Sequence, residues 1–178
     1  MIERGNNKRD IKPLNYNYSQ ERLGLNRSKL AQEESNDCVV KAIASAAKIS
    51  YEASHAFTGD YLMRSNGKGV CIKLFLPNIT KSPMKIGGQK VIFEELHKSR
   101  ILNRYKVKGK IYLRKKTVKS FIQDNIKGSF VLTVSGHALA VVDGVLIDNI
   151  GEEYRMTRKV LGAIEVRSSS INKQLTLF

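Results

Sequence analysis

The sequence predicts a single α+β domain in which a cysteine-bearing helix near the N-terminus packs on an antiparallel β-sheet. Three observations carry that expectation. An Ala-rich run, Cys38 to Lys48, follows a dense helix-start signal at Ser35-Asn36-Asp37. Later, two apolar runs, Phe130 to Val134 and His137 to Val142, lead through Asp143-Gly144 into a third, Val145 to Ile150. Asp-Gly between apolar runs is the signature of a two-residue hairpin turn. Finally, 178 residues with 42% hydrophobic content suit one domain with a real core.

The elements follow in order. Residues 1–30 are rich in Asn, Arg, Lys and Ser and read as an extended or partly disordered basic arm. The domain proper spans 31–166. Val39, Ile43 and Ala47 share one face of the first helix, which predicts the central buried helix. A second helix follows Ser50, from Tyr51 to Met63, and Ser65-Asn66-Gly67-Lys68-Gly69 breaks it. Residues 70–80 read equally as a short helix or an apolar strand. Pro77 and Pro83 bracket a loop. Residues 84–116 mix strand-like runs, such as Lys110 to Leu113, with a short helix around Phe93 to Ser99. Thr117 caps a helix to Ile126 that Lys127-Gly128 ends. A last strand is expected from Gly162 to Val166, followed by a tail, 167–178.

Composition narrows the function classes. Lys and Arg number 31 against 16 Asp and Glu, a net charge of +15. Such a surplus suits polyanionic partners as well as it suits a merely soluble surface. Between Lys81 and Ser120 there are 13 basic residues and two acids, Glu94 and Glu95. No zinc spacing or RNA-binding signature accompanies them, so non-specific contact with nucleic acid would run through phosphates. Two cysteines, Cys38 and Cys71, make no disulfide framework and fit a reducing cytoplasm. Met1 to Asp10 has no apolar core of a signal peptide, and no run approaches membrane-spanning length. No cofactor or metal is called for.

One constellation carries chemistry. Cys38 stands at a helix N-terminus, where unpaired N–H groups favour the thiolate. His137 opens a strand, placed to take the thiol proton and return it to a leaving amine. The hairpin register selects the third member. Opposed positions around Asp143-Gly144 sum to 287, so Leu139 faces Asp148, and His137, Leu139, Asp148 and Ile150 share a face. Asp148 is therefore preferred as the group that orients the imidazole; a bulge would exchange it for Asn149. Gln32, six residues before Cys38, offers a side-chain amide to an oxyanion, beside the backbone N–H of Cys38. His55 and His97 have no comparable setting.

Gln32-x-x-x-x-Asp37-Cys38, with His137-Ala-Leu-Ala-Val-Val and Asp148, resembles the active-site pattern of papain-like peptidases that cleave bacteriocin leader peptides. The stretch is also similar to phage and bacterial proteins of that class. The resemblance covers about residues 32–150 and implies a papain-like fold and a cysteine hydrolase. Cys38 would be the nucleophile, His137 the acid/base, Asp148 the orienter and Gln32 the oxyanion donor, acting on a peptide or protein substrate. Two positions depart from the pattern: Val39 replaces a glycine and Asp148-Asn149 replaces Asp-Pro. A peptidoglycan endopeptidase fits less well, because Cys-Ser-Gly is missing.

The last five residues resemble a second pattern. Gln174-Leu175-Thr176-Leu177-Phe178 is similar to the peptide with which bacterial polymerases and repair proteins hold the sliding clamp. Leu177 and Phe178 would fill an apolar pocket, and Gln174 and Leu175 would fix register. The implied setting is the bacterial cytoplasm, the host's if the chain is phage-encoded, near DNA, with no membrane contact. The competing expectation is a non-catalytic adaptor of the same shape that binds the clamp and DNA or an acidic partner.

Overall fold

The computed structural model describes residues 24–25, 27–70, 82–148 and 156–170. Most of the basic arm, all but the first residue of the ambiguous 70–80 run, Cys71 included, Asn149 and the clamp-like peptide Gln174 to Phe178 lie outside them.

The N-terminal elements are α1 (Lys29–Glu33), α2 (Cys38–Ala47) and α3 (Tyr51–Leu62). Serines start two of them: Ser28 accepts from the Ala31 N–H, and Ser50 from the Ala53 N–H. Apart from Cys38 and Lys41, every residue of α2 is buried. The small alanines let neighbours approach from several sides, so α2 is a central helix rather than a one-faced one.

The sheet is built from β1 (Met84–Ile86), β2 (Gln89–Glu95), β5 (Ser129–Val134), β6 (His137–Val142), β7 (Val145–Ile147) and β8 (Gly162–Ser170). Their spatial order is β1-β2-β8-β5-β6-β7, and every pair is antiparallel. Apolar side chains alternate between its faces. Val131, Ala138, Ala140, Ile164 and Val166 meet α2 and α3. Leu132, Leu139, Val141 and Ala163 meet α4 (Val118–Asp124), through Val118, Phe121 and Ile122. The chain is thus α+β, with helices on both faces of one antiparallel sheet. A separate two-stranded hairpin, β3 (Leu102–Val107) and β4 (Lys110–Lys115), stands outside that sheet.

Several expectations meet the structure well. The hairpin pairs Val142 with Val145 and Ala140 with Ile147, the register summing to 287. Asp143 and Gly144 turn it with φ of 48° and 79°, both left-handed, as a tight hairpin of this twist requires. Thr117 caps α4 by accepting from the Ser120 N–H.

Others are corrected. The helix expected around Phe93 to Ser99 is instead the end of β2, where Phe93 pairs with Val166, followed by a short 3-10 turn, Lys98–Ile101. Phe93 and Val91 alternate with exposed or half-exposed neighbours and are buried on the sheet, the pattern of a strand. β8 runs on to Ser170, because Arg167, Ser168 and Ser169 continue the backbone ladder with β2 and the Arg167 side chain pairs with Glu94 on that strand. Of the strand expected from Val145 to Ile150, Val145–Ile147 forms β7 and Asp148 follows it, while Asn149 and Ile150 lie outside the described residues.

Candidate active site

The site forms at the N-terminal end of β6, which begins at His137; among the described residues the β6–β7 ladder runs from Val142 with Val145 to Ala140 with Ile147. The N-terminus of α2 comes against this stretch, and the Ala138 N–H donates to the Cys38 sulfur. The start of a strand and the start of a helix therefore converge on one thiol.

Asp37 contributes by what it does not do. The Ser-Asn-Asp signal predicted a capped helix, yet the Asp37 side chain makes no cap hydrogen bond. Its carboxylate accepts from the Tyr51 hydroxyl at 3.0 Å and pairs with Lys41 at 3.1 Å. The first amides of α2 are thereby left to the sulfur, and the Val39 N–H donates to it.

His137 and Asp148 complete a chain of three. His137 Nε2 lies 2.7 Å from Asp148 Oδ1. A second hydrogen bond joins the imidazole to Cys38. With Nε2 engaged by the carboxylate, Nδ1 is the ring atom left for the thiol. The Asp148 side chain is 2% exposed and His137 10%, so their pairing is sheltered from water. Cys38 itself is half-buried, with a route to solvent.

Electrostatics follow from the contacts. Burial pushes the Cys38 thiol up, but the His137 hydrogen bond, the Ala138 amide, the imidazolium charge and the Val39 amide outweigh it. The thiol is held below its ordinary value. Burial pulls His137 down, but hydrogen bonds to Asp148 and Cys38, and their charges, raise it to about 9. Both shifts favour a thiolate beside an imidazolium, the form in which cysteine attacks.

Gln32 sits on α1, exposed, with its backbone N–H donating to the Ser28 carbonyl. Three of the four expected residues, Cys38, His137 and Asp148, thus form one bonded group. Among the described residues no cluster of His, Cys, Asp or Glu could hold a metal ion.

A second polar group went unforeseen. Glu34 accepts from Arg64 Nη2 at 2.6 Å and from the Gly67 N–H at 2.8 Å, and its Oε1 lies 3.0 Å from His55 Nε2. Arg64 also donates to the Ser35 carbonyl. The Arg64 hydrogen bond, followed in turn by the Gly67 amide and His55, outweighs burial and holds the Glu34 carboxyl at about 2. This network braces the segment that leads into Cys38. Its partners lie about thirty residues apart, a distance no local pattern spans.

Compared with known protein families, curated proteins and solved structures, the chain matches nothing.

Proposed function

We propose that the protein is a cysteine peptidase of papain-like fold, hydrolysing a peptide or isopeptide bond through a thioester acyl-enzyme. The observation that carries this reading is the hydrogen-bonded chain of thiol, imidazole and buried carboxylate, Cys38–His137–Asp148. A structural cysteine has no use for two amides and an imidazole aimed at its sulfur.

In the proposed reaction the Cys38 thiolate attacks the carbonyl carbon. The new S–C bond turns the carbonyl oxygen into an oxyanion, for which the Cys38 N–H and the Gln32 amide are the proposed donors. His137 gives its proton to the leaving nitrogen as the C–N bond breaks. Water then attacks the thioester and yields its proton to His137. The acid product leaves, and the thiolate–imidazolium pair is restored. Asp148 touches no reacting atom; it is a positioning residue that holds the ring by Nε2.

The proposal extends to place. The tail Gln174 to Phe178 would tether the enzyme to a bacterial sliding clamp in the cytoplasm. No helix among the described residues is long and apolar enough to cross a membrane. Deleting the tail should abolish clamp binding and leave hydrolysis of a small peptide intact.

The deciding experiment is the pH dependence of Cys38 alkylation by iodoacetamide, with Cys71 as internal control and His137→Ala alongside. Reaction persisting well below the ordinary thiol range, and lost in the variant, is the expected result. Ordinary thiol behaviour in both proteins would overturn the enzyme and leave the non-catalytic adaptor.

A further inference from the structure

We propose that the β3–β4 hairpin is a binding arm for single-stranded nucleic acid, with Tyr105 and Tyr112 as its base-stacking platform. The hairpin's base is fixed: Leu102 follows the buried Ile101, the Lys116 N–H donates to the Ile101 carbonyl, and Asn103 donates to Ser120 on α4. Beyond it, Asn103 to Lys115 are exposed on both strands. Lys108-Gly109 turns the tip with φ of 47° and 79°.

Two properties coincide on this ribbon. The first is charge: Arg104, Lys106, Lys108, Lys110, Arg114 and Lys115 are basic, and residues 102–115 contain no acid. The second is unpartnered apolar surface. Tyr105 and Tyr112 are a directly opposed pair, each 44% exposed, with rings 5.7 Å apart and 19° from parallel. On the opposite side Ile111 and Leu113 are about 60% exposed.

Lysines alone have a simpler explanation, because charged edges keep strands from aggregating. The stacked tyrosines help hold the two strands together, but that does not account for outer ring faces left open to water or for Ile111 and Leu113 exposed behind them; contiguous apolar surface of this kind marks an interaction site. A second copy of the chain is a poor occupant, since two such ribbons repel. A polyanion neutralises the cations, and among polyanions only nucleic acid also brings flat apolar faces. By register Lys110 and Arg114 flank the tyrosines on the same side, so phosphates and bases are met together. In a duplex the bases are already stacked, which favours single strands.

The test is fluorescence anisotropy of labelled oligo-dT titrated with the full chain at rising salt. Tyr105→Ala/Tyr112→Ala should weaken binding roughly tenfold or more, with the salt slope unchanged. Tyr105→Phe/Tyr112→Phe should restore it, because phenylalanine stacks equally well. Lys106→Gln/Lys108→Gln/Lys110→Gln should flatten the slope of log affinity against log salt by about 2. All variants should keep the parent's thermal transition and Cys38 alkylation rate, since these side chains lie outside the core and the thiol site. Absence of oligo-dT binding at low salt would overturn the proposal, as would indifference to the tyrosines. Tighter binding to the matching duplex, to phosphatidylserine vesicles or to polyglutamate would overturn it too, and assign the arm to that partner.

Discussion

The fold holds two histidine–carboxylate pairs of nearly equal geometry, and only one of them faces a thiol. His137 meets Asp148 at 2.7 Å, and His55 meets Glu34 at 3.0 Å. Both carboxylates are buried. The difference is the third group. Beside His137 stands Cys38, whose negative form an imidazolium favours. Beside His55 stands Arg64, with Nη1 3.1 Å from the same Nε2 that approaches Glu34. Arginine and a carboxylate thus share one ring nitrogen, and the hydrogen-bonding capacity of that nitrogen is used up inside the bracing group. The first arrangement leaves the imidazole facing a thiol; the second occupies the histidine in bracing a loop. A histidine–carboxylate contact is therefore not in itself a site, and its neighbour decides the role.

The sharpest way to break that comparison is to remove each histidine in turn. His137→Ala should lower kcat/KM on any accepted peptide by roughly a thousandfold or more, while leaving the fold intact. His55→Ala should spare the chemistry and lower thermal stability. Turnover and unfolding curves on both variants check the pair. Equal losses of activity would erase the distinction.

Next in size is the ion pair of the bracing group. Arg64→Met leaves Glu34 a buried charge without its strongest partner, and should cost about 4 kcal/mol in urea unfolding. The pH dependence has a definite sign. Glu34 titrates at about 2 in the folded protein, against an ordinary value of 4.5. Its contribution to stability is thus fully present above 4.5 and is lost as pH falls toward 2. Glu34→Gln should flatten that acid loss, leaving the neutral half of the profile lower but level.

These two groups also differ in how far the sequence disclosed them. The His137–Asp148 pair was legible because a two-residue turn fixes the register: with Asp143-Gly144 as the turn and no bulge, Asp148 lies diagonal to His137. Cys38 was legible because a helix start and a thiol coincide in sequence. Glu34, His55 and Arg64 meet only through tertiary folding, so no spacing announces them. Phe93 was misjudged for a related reason. It belongs to a strand buried between β1 and β8, and its partner Val166 lies far along the chain. A short helix was expected there, and burial of Val91 and Phe93 in the sheet decided otherwise. Asp37 was read as a cap, since nothing local shows that Tyr51 would claim it.

A smaller effect is expected at the orienter. Asp148→Asn keeps the shape but removes the charge that helps hold His137 at about 9. The alkaline limb of the activity profile should fall toward the ordinary histidine range, near 6.5. The rate at the optimum should drop about thirtyfold, equivalent to roughly 2 kcal/mol. A rate loss with the alkaline limb unmoved would mean that Asp148 acts on shape and not on the proton.

The smallest effect tests whether the uncapped start of α2 matters to the thiol. Tyr51→Phe deletes the hydroxyl that holds Asp37, leaving Lys41 as its remaining ion-pair partner. Stability should fall by about 1 kcal/mol, the worth of one buried hydrogen bond. Released on one side, the Asp37 carboxylate can turn back and accept from the first amides of the helix, as its position in the sequence invites. Those amides would then serve a carboxylate instead of the sulfur, and a negative charge would approach the thiolate. Both changes disfavour ionisation of Cys38, so the acid limb of alkylation should move to higher pH by a few tenths of a unit. A stability loss with an unmoved alkylation profile would reduce the Tyr51–Asp37 bond to a core fastening.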